Sequence, residues 1–363
     1  MKTARIIHRW VGASLAVLLI LVSATGTLLI WKNTYLGFVF PQSALAFERS
    51  IEPMATIALS ADAAFGEAAI SRIEFGDQSF GLSKVYLVDK RSAFIAPDGQ
   101  ILAVWEPNGR FEDWLLDLHH RLLTGTIGLY IIGFTGIAAL VLIGAGLIAY
   151  WPARRTWRSG LALRSLKRAE LLRLHRNTGI LLALPIAAVI LAGVVLTFPE
   201  TSRAAFFWPY ENDDSYGQNF GDGVDAVSGS SETSWPKVLA RAASVFPGAE
   251  ITGLAWPQGT GVKRVLIRES GEWAEHGNSS VHITDYDGYM DLRIDARTLP
   301  IGEKSYNFLG DLHRSHLGGW VYNIIQTLIG LGLICLGVIG LISFIGARFS
   351  FSSPQRSTYK KAR

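Results

Sequence analysis

The chain has 363 residues, 49% of them apolar and only 18% charged, with a positive mean hydropathy. That balance is unusual for a soluble protein of this length, and the apolar residues fall in four blocks. The formal net charge of +4 follows from where Lys and Arg flank those blocks, so it is not a nucleic-acid footprint, and the single cysteine, Cys335, excludes internal disulfides, cysteine-rich metal clusters and covalent haem attachment.

The chain opens with His8-Arg9-Trp10-Val11-Gly12 before an apolar run from Ala13 to Trp31. The run is too long for a signal-peptide core and its opening recurs inside the chain, so it reads as a retained span even though Ala44-Leu45-Ala46 resembles a cleavage site. Residues 33–60 read as irregular, Ala61–Ser71 as a helix, and Arg72–Phe75, Ser83–Asp89, Ser92–Ala96 and Ile101–Trp105 as strands, with a hairpin turn at Pro97-Asp98-Gly99. This predicts one helix on a small antiparallel sheet.

Asp117-Leu118-His119 then leads into a second apolar run ending at Tyr150. The next loop carries Arg154, Arg155, Arg158, Arg164, Lys167, Arg168, Arg173 and Arg176 against one acid, Glu170. His175-Arg176-Asn177-Thr178-Gly179 opens the third apolar run, up to Phe198. After a stretch at 211–234 rich in Asp, Gly and Ser, Trp235–Phe246 reads as a helix. Glu250–Trp256, Lys263–Glu269, Ser280–Asp285 and Tyr289–Ile294 read as strands, with turns at Pro257-Gln258-Gly259 and Asp287-Gly288. Asp311-Leu312-His313 precedes the fourth run, and Arg348, Arg356, Lys360, Lys361 and Arg363 end the chain.

Each apolar run of ~20 residues or more can cross a hydrocarbon core of ~30 Å, which predicts four membrane helices at 10–31, 123–150, 177–198 and 320–346. Two register marks make the halves look like a repeat: Gly26 and Gly193 each fall 18 residues after His8 and His175, and Gly125 and Gly319 each fall six after His119 and His313. The expected fold class is therefore an α-helical integral membrane protein built from a duplicated in-out-in unit, with each helix starting at a histidine and two small external α+β modules.

Its segments are a first helix (1–32), a first module (33–118), a second helix (119–151), a basic loop (152–174), a third helix (175–198), a second module (199–312), a fourth helix (313–346) and a basic tail (347–363). Residues 32–118 hold 12 acids and 7 bases and residues 199–312 hold 17 and 9, so both modules are expected outside and both termini in the cytoplasm. Neither module has a core large enough to be an enzyme alone.

The repeat pairs His8 with His175 at the cytoplasmic mouths and His119 with His313 at the external ones. Histidines at the edge of the hydrocarbon are usually functional, and two that face each other can supply both axial nitrogens of a b haem. His120 and His316 are alternatives at the external site; His276 and His282 read as surface or sheet residues. Arg9, Arg176, Arg121 and Arg314 stand beside these histidines and suit haem propionates. Gly12 and Gly179, one helical turn on, are expected to leave room for the ring edge.

Other chemistries are poorly served. The helix interiors lack the charges a permease path needs, no carboxylate cluster completes a zinc site, and Asp285-Tyr286-Asp287-Gly288 is a turn rather than a calcium loop. No Gly-rich phosphate loop offers flavin or NAD a home. A non-redox peptide-binding or regulatory membrane protein stays open as the alternative.

In HRWVG and its echo HRNTG, in DLHHRLLTG and DLHRSHLGG, and in the two helix-plus-sheet loops, the chain resembles the PepSY-associated transmembrane family, which includes bacterial inner-membrane ferric-siderophore reductases. The resemblance covers nearly the whole chain. It implies PepSY-like periplasmic modules and two non-covalent b haems in the bacterial inner membrane, with His8 and His175 on the cytoplasmic-side haem iron and His119 and His313 on the periplasmic-side one. It further implies a ferric chelate or siderophore as acceptor. A separate donor, a flavoprotein or quinol, is then required.

Overall fold

The computed structural model describes residues 2–151, 161, 165–207, 234–256, 262–272, 274, 276–284 and 292–349. The arginines at 154, 155, 158 and 164, the turns at 257–259 and 287–288, the stretch at 211–233 and the end of the tail lie outside these residues. In chain order the helices are α1 (Lys2–Ile30), α2 (Lys32–Val39), α3 (Ile51–Phe65), α4 (Phe111–Arg121), α5 (Thr126–Tyr150), α6 (Arg168–Thr197), α7 (Pro199–Phe207), α8 (Trp235–Val245), α9 (Ile301–Arg314) and α10 (Gly319–Phe349). The strands are β1 (Ile70–Glu74), β2 (Ser83–Leu87), β3 (Ser92–Ile95), β4 (Ile101–Trp105), β5 (Glu250–Ala255), β6 (Val262–Arg268), β7 (Ser279–Thr284) and β8 (Leu292–Ile294).

α1, α5, α6 and α10 are each long and apolar enough to span a membrane, so the chain is a multi-pass membrane protein. They close into a ring: α1 packs on α5 and α10, and α6 packs on the same two, leaving α1 and α6 at opposite corners. Small residues let the backbones approach. A Cβ at Gly337 would stand 2.7 Å from Ile20, and Ser23 donates to the Gly330 carbonyl at 2.9 Å.

Two of the four spans begin earlier than their apolar runs. α1 starts at Lys2 and α6 at Arg168, so His8 and His175 sit inside helices rather than at their starts. The charged residues ahead of each run are good helix formers and simply extend it. His119 and His313 depart further from expectation, because they lie in the last turns of short separate helices, α4 and α9. Leu122 (φ 50°) and Ser315 (φ 64°) cap these in the left-handed region, and Gly125 (φ 65°) and Gly319 (φ 57°) then turn the chain into α5 and α10.

The loop at 33–60 is not irregular. It contains α2 and the start of α3, whose Met54, Ala55, Ile57, Ala58 and Ala61 recur at helical spacing and are buried; Gly66 (φ 80°) ends that helix earlier than expected, and after a single 3-10 turn at Glu67–Ala69 the chain enters β1 at Ile70.

The two expected sheets are one. Strand order is β4-β3-β2-β1-β5-β6-β7-β8, with β1 and β5 antiparallel and Ile73 opposite Leu254. Pairing these two strands removes one exposed edge from each loop and merges their cores. Met54, Ile57, Ile73, Val85, Leu239, Leu254, Val265 and Val281 form a single buried cluster under α3 and α8. Arg49 to Glu250 (2.7 Å) and Trp235 to Asp62 tie the loops together at the margins.

Candidate functional site: two facing histidine pairs

The ring of helices brings the histidines together in two pairs. His8 of α1 and His175 of α6 have ring centroids 6.0 Å apart with planes at 72°; His119 of α4 and His313 of α9 are 6.1 Å apart at 36°.

All four imidazoles are held in the same way. Nδ1–H of His8 donates to the Leu142 carbonyl (3.0 Å), that of His175 to Leu336 (3.1 Å), that of His119 to Val22 (3.0 Å) and that of His313 to Val189 (3.0 Å). Each acceptor lies on a neighbouring span, four residues before a glycine: Gly146, Gly340, Gly26 and Gly193 respectively. In a helix that carbonyl already takes the glycine's own N–H, and with no Cβ in the way the ring can lie flat enough to share it. A Cβ would stand 2.9 Å from His8 Cε1 at Gly146, 2.8 Å from His119 Cε1 at Gly26 and 2.8 Å from His313 Cε1 at Gly193. At Gly340 it would be 3.5 Å from His175 Cε1.

Because a carbonyl only accepts, each contact fixes the proton on Nδ1 and leaves the Nε2 lone pair available. Burial, with His313 and His120 beside it, pushes His119 down to about 3, and burial also lowers His313, so both remain neutral bases. The peptide before His313 is pinned as well: Tyr322 Oη and Gln326 Nε2 of α10 donate to the Leu312 carbonyl at 2.9 and 2.6 Å. Thr25 Oγ1 lies 3.1 Å from His119 Nδ1.

The alternatives His120 and His316 lie close to this second pair. His120 is exposed and lies beside His119 (5.5 Å between centroids), while His316 stacks edge-on to His276 at 4.8 Å. His282 lies buried in β7. Gly12 and Gly179, one turn beyond His8 and His175, are not the glycines on which the imidazoles rest. They face Leu142 (3.4 Å) and Leu336 (3.8 Å), and the seats are the four glycines on the adjoining spans. Of the arginines, Arg9 lies over Phe344 (5.5 Å) and Arg176 donates to Asn177 Oδ1 (3.2 Å), while Arg121 and Arg314 are exposed and close in sequence to His119 and His313.

The seats were within reach of the sequence. Gly26 and Gly193 were visible as register marks without a role, and Gly146 and Gly340 each fall 27 residues after His119 and His313. The carbonyls and the Tyr322–Gln326 brace carry no sequence signal.

The model of the PepSY-associated TM region matches residues 5–346 of the chain. Among curated proteins no match is found.

Proposed function

From the premise that the chain belongs to the PepSY-associated TM-region family, we propose that it is a di-haem protein that carries single electrons across a bacterial inner membrane. The acceptor side is a ferric chelate, such as a siderophore, whose iron is released on reduction. One observation carries the reading: two pairs of imidazoles, each with Nδ1 tied to a carbonyl and Nε2 free, face each other at 6.0 and 6.1 Å. A metal between two imidazole nitrogens that approach it from opposite sides at ~2 Å would set the ring centroids ~6 Å apart, so each pair would suit the iron of a b haem in both donors and spacing.

When bound, such a group supplies a one-electron couple; everything else falls to the chain. The Leu142, Leu336, Val22 and Val189 carbonyls orient the ligands and raise their basicity. The apolar ring of spans excludes water, and Arg9, Arg176, Arg121 and Arg314 stand where propionates could pair with them. Along α1, His8 and the Val22–Gly26 seat of His119 are 14 to 18 residues apart, or ~21–27 Å at the rise of a helix, so the two pairs serve opposite leaflets.

By the distribution of Lys and Arg, the His8–His175 pair faces the cytoplasm, where a flavoprotein or a quinol is the donor, and the sheet lies in the periplasm. It follows that siderophore reduction is the duplicated unit's work, with the joined PepSY-like modules standing over the outer pair. Reduction weakens the hold of hard oxygen ligands on the iron, so delivery of an electron suffices to free it.

The test is a reduced-minus-oxidised spectrum of the purified protein with a pyridine haemochrome count. Two b haems per chain are expected, falling to one in His175→Ala. Colourless protein after expression with ample haem sinks the reading.

A further inference from the structure

The eight-stranded sheet buries one face under α3 and α8, and residues of the other face meet α4 through Lys84 and Asp113 and α9 through Arg264 and Glu303. Cross-strand partners Tyr86, Arg72, Ala255, Arg264 and His282 form one row across that second face. Neighbouring strands are ~4.8 Å apart, so the two arginines flank Ala255 with ~10 Å between their backbones. Only the small Ala255 side chain stands between the two arginines along this row, a position called the slot below.

Several groups along the slot lack the partners that their burial calls for. His282 is 6% exposed, and its Nε2 has no hydrogen-bond partner among the described residues. Glu303 of α9, which feels both Arg203 and Arg264, likewise has an unpartnered buried Oε2, and burial pushes it up to about 7. Arg264 donates from Nε to Ser280 Oγ (3.2 Å), and no hydrogen bond from its two terminal nitrogens is found among the described residues. Buried polar atoms without partners are uncommon and ask for a ligand or ordered water. On the other side of the slot Arg72 pairs with Glu74, and Lys84 with Asp113 of α4 at 3.1 Å.

We propose that the slot between Arg72 and Arg264, with His282 and Glu303 beside it, is the docking site for a ferric chelate that carries negative charge on carboxylate groups. The loops are acidic in total, yet this face offers forked donors that match carboxylates in pairs. The binding claim stands on the slot alone; its redox half rests on the electron-transfer reading above. In that half, one electron that originates from the flavoprotein or quinol donor reduces ferric iron to ferrous. No bond to the protein forms, the carboxylates keep their charge, and the ferrous ion leaves because oxygen donors hold it less tightly.

Equilibrium dialysis of the purified full-length protein against gallium(III)–EDTA, a redox-inert stand-in for the ferric complex, tests the site without any electron transfer. Wild type should bind it, and Arg264→Gln and Arg72→Gln should each weaken binding about tenfold, the loss of one charge-assisted pair. Arg264→Lys, which keeps the charge, should retain most of the affinity, and Arg91→Gln on the exposed β2–β3 hairpin should change nothing. The cation hexaamminecobalt(III) should not bind. Equal affinity in wild type and Arg264→Gln overturns the proposal, as does displacement of the chelate by phosphatidylglycerol vesicles, which would assign the slot to a lipid headgroup. Arginine-dependent gallium binding by a haem-free protein would leave the site standing and remove the electron-transfer reading. A protein with two haems and no chelate binding would do the reverse.

Discussion

At Gly26, Gly146 and Gly193 a methyl group would press on an imidazole at 2.8, 2.9 and 2.8 Å, whereas at Gly340 it would rest at an ordinary 3.5 Å. Alanine in a helix interior is favoured over glycine by ~1 kcal/mol, so none of these substitutions should harm the helix itself. What each one displaces is a ring and its Nδ1–H bond to the carbonyl four residues earlier. On the proposed di-haem reading, Gly26→Ala and Gly193→Ala should therefore each lose the haem assigned to His119 and His313, Gly146→Ala the one assigned to His8 and His175, and Gly340→Ala neither. The measurement is haem per chain by pyridine haemochrome on folded, monodisperse protein. Four equal results, whether all losses or all retentions, would mean that the glycines are only packing positions. The same argument explains why the seats escaped the sequence reading. A histidine announces its own chemistry, but the glycine beneath it is distant in the chain and chemically silent.

At the scale of elements, the spans and most strands were legible because their signals are local. Long uncharged runs mark α1, α5, α6 and α10, and alternation marks β2 and β6, whose buried and half-buried residues follow that alternation. The joining of β1 to β5 was not legible, since it links residues 179 to 183 positions apart and nothing in either strand names its partner. Its consequence can be measured. Leu254 is 1% exposed opposite Ile73, and Leu254→Ala should cost about 2–5 kcal/mol, as core truncations do. If the sheet is one cooperative unit, amide exchange should speed up in β1 and β2 of the first loop as much as in β6 and β7 of the second. Acceleration confined to the second loop would show two modules that merely touch. The separate helices α4 and α9 were hidden for a related reason: their last turns, which carry His119 and His313, lie only a few residues before apolar sequence, and the left-handed backbone at Leu122 and Ser315 reveals the break.

Across the whole molecule, each half seats its own histidines and depends on the other half to pair them. His8 rests on α5 and His119 on α1, both in the first half, while His175 rests on α10 and His313 on α6, both in the second. Yet the pairs are His8 with His175 and His119 with His313, so every axial pair would cross between halves. The joined sheet makes the same crossing outside the spans. A chain divided between α5 and α6 should thus give two pieces that bind no haem when expressed singly, because each offers one nitrogen per site where two are needed. Co-expressed, the pieces have the α1–α10 and α5–α6 contacts, the β1–β5 ladder and the Arg49–Glu250 pair to reunite them, and both haems should return. A single half that binds haem as a monomer with two nitrogen ligands would contradict the crossed arrangement. The crossing also gives the seats their purpose. A ligand pair assembled from two halves has no covalent tether to fix its spacing, so the Nδ1–carbonyl bonds and the glycines beneath the rings must hold each imidazole in place before its partner arrives.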